Sequence, residues 1–314
     1  MAHAAGALRV LHESVVREDE IDDLGHMNVR HYATRALAST DRLLGELGVD
    51  AACFGSAGPL AHDLPRMFTR YHREQHTGAA LEVHGGLIRI DDACLRIYHE
   101  LRNPAREELA ATFCHDVEFR LPGEPEALVI PRAARKELER SLALRPEHGG
   151  PRSIDLDAPP VAPSLEDALA TGLAFRKPRR IDAADCDAEG RLPAEARPFY
   201  MWGGEPLEVR GKPLGPPVFD LPDGGKMGLA SMEARSVMVR QPMAGMRIQS
   251  FVANVELARK TNLRRYWVFD LDTQELLLAN EVVELALHLG KRRAIEFPPE
   301  IRADLEARLR PDLR

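Results

Sequence analysis

The chain is poor in cysteine and aromatic residues and has no long apolar run. Its four cysteines, Cys53, Cys94, Cys114 and Cys186, contain no C-x-x-C pair. That spacing indicates neither a structural zinc nor a dithiol redox site, and so few thiols in 314 residues point to a reducing compartment. No apolar stretch approaches the ~20 residues of a membrane span, and Met1 to Gly6 lacks the basic-then-apolar order of a secretory leader. A cytoplasmic location is therefore expected. Basic residues are in deficit, with a net charge of -7 and a pI near 6.0, which argues against a dedicated nucleic-acid binder. Gly224-Gly225-Lys226-Met227 is not a P-loop, Phe54-Gly55-Ser56-Ala57-Gly58 is not a nucleophile elbow, and no dinucleotide fingerprint occurs; no cofactor is expected. At 44% hydrophobic and 29% charged residues, the length suits one large domain or two ordinary ones.

The densest chemistry lies between Glu20 and Asn28, which read Glu-Ile-Asp-Asp-Leu-Gly-His-Met-Asn. Leu8 to Ile21 has strand character, with Val15 and Val16 as expected core members. Gly25 breaks the strand. Asn28 can cap the following helix, and Gly48 suits its stop position. Carboxylates, an imidazole and the unpaired N–H groups of a helix start thus converge in one turn. Asp23 is expected to face solvent and Tyr32 to be core or pocket wall.

After a loop over 49–65, four segments have strand character: Met67 to His76, Leu81 to Ile90, Cys94 to Leu101 and Glu108 to Leu121. Their short separations favour an antiparallel meander. In the first of them His72, Glu74 and His76 would share one face. Glu74 is one place late for H-E-x-x-H, so a polar strand face is expected rather than a metal site. A Pro- and Gly-rich stretch, 122–164, with a short helix over Ala133 to Leu142, reads as a connection.

The pattern then repeats. Leu173 to Ile181 is a strand candidate weakened by Pro178, and Ala194 to Trp202 a short helix. Four strands follow, Leu229 to Arg240, Met246 to Leu257, Leu263 to Leu271 and Leu276 to Leu289, and then a helix, Glu300 to Leu309. Asp22 and Gly25 recur, at one common offset, as Asp187 and Gly190. The Pro-rich helix start at Pro131 recurs as Pro298 at nearly the same offset. Nearly equal offsets at distant points argue for duplication of one supersecondary unit.

A strand, an Asp-x-x-Gly-His-x-Asn turn carrying Asp22, Gly25, His26 and Asn28, a long helix and an antiparallel meander together resemble the hotdog-fold thioesterases of the hydroxybenzoyl-CoA thioesterase type. The resemblance implies an α+β protein of two tandem hotdog domains, each a curved antiparallel sheet wrapped around a long helix. The expected boundaries are 1–121 for the first, 122–164 for the linker and 165–314 for a second, degenerate copy, in which Arg191 and Pro193 replace the histidine and asparagine. It further implies hydrolysis of an acyl thioester on coenzyme A or acyl carrier protein. Asp22 would then be general base or nucleophile. Backbone N–H groups near Met27 and Asn28 would polarise the carbonyl, and His26 and Asn28 would orient the reacting groups. Gly25, Met27, Tyr32 and Asp187 are expected to line the substrate site, and the second domain to form its opposite wall. The basic runs Arg176 to Arg180 and Lys291 to Arg293 would either meet coenzyme A phosphates or be solvated surface. A monomer of tandem hotdogs and a homodimer both satisfy hotdog pairing. The alternatives are a hotdog enoyl-CoA hydratase or dehydratase, for whose longer motif there is no good match, and a non-catalytic acyl-CoA-binding module.

Overall fold

Helix α1 (Val29–Glu46) buries Tyr32, Arg35, Ala36, Ser39, Thr40, Leu43 and Leu44. These positions recur at three- and four-residue steps, the stripe of a helix laid on a core. In a computed structural model, described here over residues 6–22, 25–124, 126–209, 212–213 and 218–314, the chain forms two compact units, Met1–Arg152 and Ser153–Arg314. Asp23 lies outside the described residues.

The first unit contains β1 (Arg9–Val15), α1, β2 (Ala61–Tyr71), β3 (Ala80–Ile90), β4 (Cys94–Asn103), β5 (Glu108–Arg120) and α2 (Arg132–Glu139). All its strand pairs are antiparallel: β1 with β3, β3 with β4, β4 with β5, and β5 with β2. α1 packs on β1, β3, β4 and β5. A simple meander would pair β2 with β3 instead. Short turns close the β3–β4 and β4–β5 hairpins, whereas β2 and β3 are joined by residues 72–79. That connection is too long for a tight hairpin, and it runs back past the start of α1.

Two local expectations are corrected. β1 ends at Val15, which is 55% exposed, while Val16 is buried in the core; one residue decides the face because strand side chains alternate. β2 begins at Ala61 and ends at Tyr71. It absorbs Pro65 at a register shift between Asp63 and Arg66, where a missing N–H is tolerated. Residues 72–76 therefore have no shared strand face. Within the stretch read as a connection, α2 contributes the buried Leu138 and Ile130 joins the same core cluster.

The second unit holds α3 (Leu165–Ala170), α4 (Arg197–Trp202), β6 (Lys226–Met238), β7 (Arg247–Leu257), β8 (Thr261–Asp270), β9 (Leu276–His288) and α5 (Pro299–Glu306). β6 pairs with β9, β9 with β8 and β8 with β7, and Arg179–Arg180 pairs with β7. This is the pairing order of the first unit. The helix after the turn is 6 residues long here against 18 in α1. Tyr200 and Met201 from α4 pack on Ile248, Val268, Leu278 and Val282. On the other sheet face Leu165 and Ala168 meet Phe251, Trp267 and Phe269. Among the described residues, no helix is long and apolar enough to cross a membrane.

The middle of α1 carries a polar device that hydrophobic patterning does not reveal. Thr40 Oγ1 donates to the Ala36 carbonyl and lies 2.9 Å from His99 Nε2 and 3.0 Å from His115 Nδ1. With its one proton spent, the oxygen accepts from both rings. A neutral ring can supply that one N–H, and burial, which lowers the His99 pKa well below its ordinary value and that of His115 to about 4, keeps both imidazoles neutral near pH 7. The folded pKa of His115 lies below the unfolded one. Its contribution is therefore complete above pH 6.5 and lost as pH falls toward 4, about 3 kcal/mol for a shift of this size. Urea unfolding at pH 7 and pH 4.5 should show this loss, with a smaller pH slope in His115→Leu; an equal slope would place the acid sensitivity elsewhere.

Candidate active site

The turn between β1 and α1 is built by its own backbone. The Asp22 N–H donates to the His26 carbonyl and the Gly25 N–H to the Asp22 carbonyl, both at 2.9 Å. Gly25 has φ +82°, which a residue with a Cβ rarely adopts. Asn28 caps α1, its side-chain oxygen accepting from the Arg30 N–H at 3.1 Å.

Two supports hold this turn. One is a buried ion pair: Arg35 Nη2 lies 2.8 Å from Glu20 Oε2, with the two side chains only 8% and 9% exposed. Arg35 also donates to Ser14 Oγ on β1 and to the His31 carbonyl, and the Asn28 N–H donates to the Glu20 carbonyl. Burial pushes the Glu20 pKa up, but hydrogen bonds from Arg35 and from the Arg17 N–H outweigh it and hold the carboxyl below its ordinary value. The His31 pKa is lowered, by burial first, against the pull of Glu20.

The second support is residues 73–76. Tyr32 donates to the Arg73 carbonyl and accepts from the Gln75 N–H. Asn103 fixes the Gln75 side chain at 2.8 Å. The Gln75 carbonyl accepts the Met27 N–H at 2.7 Å, and His76 Nδ1 donates to the Gly25 carbonyl at 3.0 Å.

Within this frame His26 sits between two carboxylates. Its Nδ1 is 3.3 Å from Asp22 Oδ2 and its Nε2 3.6 Å from Glu74 Oε1. Asp22 is 23% exposed and His26 16%, so the pair is reachable from solvent yet partly desolvated. The structure thus brings Asp22, Gly25, His26 and Asn28 together and adds Glu74, Gln75 and His76. The sequence contained one signal for these three, the dense polar run His72 to His76; its contact with the turn depends on where β2 stops.

Met27 lies in this turn and Tyr32 in its second support, and the side chains of both are buried. Met27 is 1% exposed and Tyr32 3% exposed, both in the core. The N–H groups of Met27 and Asn28 are spent on the Gln75 and Glu20 carbonyls. The first helical residue differs: among the described residues no acceptor engages the Val29 N–H. A donor at the positive end of α1 is therefore open at Val29 rather than at its two predecessors.

Asp187 belongs to the matching turn of the second unit. Its N–H donates to the Arg191 carbonyl and the Gly190 N–H to its own carbonyl, at 3.0 and 2.9 Å. Its Oδ1 accepts from the Glu189 and Arg191 N–H groups. Gly190 has φ +75°. No imidazole occupies this turn, since Arg191 stands where the first unit has His26. Of the basic runs, Arg179 stacks on the Phe199 and Tyr200 rings, Lys177 pairs with Glu205, and Lys291 pairs with Asp223. Among the described residues no His, Cys, Asp or Glu cluster suits a metal ion.

Breaking a buried ion pair strands one charge, at a cost of roughly 3–5 kcal/mol. Arg35→Leu should lower unfolding stability by that order, measured by urea titration. A loss below about 1 kcal/mol, the range of an exposed pair, would mean that the pair does not secure the turn.

Residues 16–121 match the Thioesterase-like superfamily. No curated protein matches the chain in sequence. The chain is similar in fold to an acyl-ACP thioesterase from Bacteroides thetaiotaomicron, with 9% identity, a TM-score of 0.63 and coverage of 87% of this chain and 96% of that one. It is similarly related to a 12:0-ACP thioesterase from Umbellularia californica, with 10% identity, a TM-score of 0.64 and coverage of 88% and 93%. The first unit is thus thioesterase-like in sequence, and the chain is thioesterase-like in fold.

Proposed function

We propose that the chain hydrolyses an acyl thioester carried on coenzyme A or an acyl carrier protein, at the turn before α1. The carrying observation is the Asp22–His26 pair in the turn that leads into α1, whose first residue, Val29, has an N–H that no acceptor among the described residues engages. The thioester carbonyl oxygen would accept from Val29 N–H, where the α1 dipole favours developing negative charge. Asp22 would either take a proton from an attacking water or attack the carbonyl carbon itself. His26, held between Asp22 and Glu74, would orient the carboxylate. In the first case Asp22 passes that proton to the departing thiolate as the C–S bond breaks, and the acid is released; in the second the C–S bond breaks to leave an acyl–Asp22 anhydride, the thiolate takes a proton from solvent, and a water hydrolyses the anhydride to the acid and free Asp22. The carrier-protein option is supported by the names of the structural relatives. The four free thiols fit the cytoplasm.

We further read the chain as two tandem hotdogs, the second degenerate. The matching turn bonds at Asp22 and Asp187 support this, as do the common pairing order and the element starts. Ala61 and Lys226 are separated by the same step as Asp22 and Asp187, and Ala80 and Arg247, like Arg132 and Pro299, by almost the same one. At the step of the two aspartates, Glu20 and Arg35 have positional equivalents in Asp185 and Tyr200, which are hydrogen-bonded at 2.6 Å.

Purified protein assayed on an acyl-CoA panel with thiol detection should release thiol, and Asp22→Ala should lose nearly all turnover. Failure on every chain length and on acyl carrier protein, or full activity in the variant, overturns the reading. Val29→Pro is the sharper probe. Proline is tolerated at the first helical position and has no N–H to donate. Loss of one such donor should lower kcat about 100-fold or more with little change in Tm; unchanged kcat would remove Val29 from the mechanism.

A further inference from the structure

The first unit contains a cavity of about 470 Å³ that the proposed reaction does not use. It lies at the far end of α1, against Leu47, beneath α2 and the short helical turn Ala51–Phe54. α1 has 18 residues, and at 1.5 Å per residue its two ends are ~27 Å apart. The Asp22 turn adjoins the other end.

The floor is dry. Leu95, Phe119, Ile130 and Leu138 line it and are at most 4% exposed. The mouth runs past Ala133, Ala134 and Glu137 on α2. An apolar cavity of about 150 Å³ suffices to bind benzene, so this one has room for a medium alkyl chain or a fused ring. Its polarity narrows the choice further. None of its lining residues is basic, and the charged one, Glu137, is an acid paired with Arg140. The last turn of α1, at the negative end of its dipole, also lacks a basic residue, so that end offers an anionic head no counter-charge.

We propose that this cavity is a second ligand site, specific for an uncharged hydrocarbon molecule such as a fatty alcohol and selective against fatty-acid anions. It is independent of thioester hydrolysis at Asp22 and stands or falls separately from that assignment.

The test is saturable binding of the neutral fluorophore N-phenyl-1-naphthylamine to the full chain at pH 8, with decan-1-ol and decanoate as competitors. One molecule should bind per chain. Decan-1-ol should displace it, decanoate should compete at least tenfold more weakly, and Asp22→Ala should bind normally. Ala134→Phe, which fills the cavity, should abolish binding. Glu137→Lys, at an exposed position that leaves the packing alone, should strengthen decanoate at least tenfold and leave decan-1-ol unchanged. Absence of saturable binding, retained binding in folded Ala134→Phe, decanoate competing as well as the alcohol, or an unmoved decanoate affinity in Glu137→Lys would each overturn the proposal.

Discussion

The candidate site depends on a buried ion pair that is not itself placed to react. Glu20 and Arg35 join the end of β1 to the second turn of α1, and the Glu20 carbonyl takes the Asn28 N–H. The chain between them has to form a tight turn, because both of its ends are fixed. Such a pair adds little net stability over a well-packed apolar contact. It does fix the direction in which the turn enters the helix, and so where Asp22 and the first free N–H stand relative to each other. The polar stripe on the buried face of α1, Arg35, Ser39 and Thr40, is tolerable because each member is bonded, as buried polar groups require.

The second unit has a turn of the same frame with different side chains. Its turn has the same backbone bonds, and a tyrosine–carboxylate hydrogen bond stands where the first unit has its ion pair. The Asp187 carboxylate is occupied in closing its own turn, and the imidazole is gone. A helix of six residues follows in place of eighteen. A scaffold of this kind keeps what folding needs, the turn geometry and the sheet order, while the reactive side chains are free to change.

Much of this was legible in the residues. The strand at Leu81 to Ile90, the Asn28 cap and the glycine at the turn follow from local rules, since each depends on neighbours within a few positions. What local rules missed depends on tertiary placement. The pairing of β2 with β5 follows no turn motif, and the 72–79 connection that leaves β2 carries Glu74 and His76 to the site. The Met27 N–H is engaged by the carbonyl of Gln75, beyond the whole of α1 and β2, and the Asn28 N–H by that of Glu20, on the near side of the turn. Neither partner is marked by a sequence motif. The neutral His99–Thr40–His115 cluster is hidden because each residue looks like an ordinary polar member of its element. Its meaning appears only when α1 lies across β4 and β5.

The most direct measurement is a crystal structure of the chain bound to a non-hydrolysable acyl-CoA in which a ketone replaces the thioester. The account predicts the ketone oxygen about 3 Å from the Val29 nitrogen, with the Asp22 carboxylate facing the carbonyl carbon directly or through one water. A ketone bound away from the start of α1, or one whose oxygen is held by other donors while Val29 faces solvent, would contradict it.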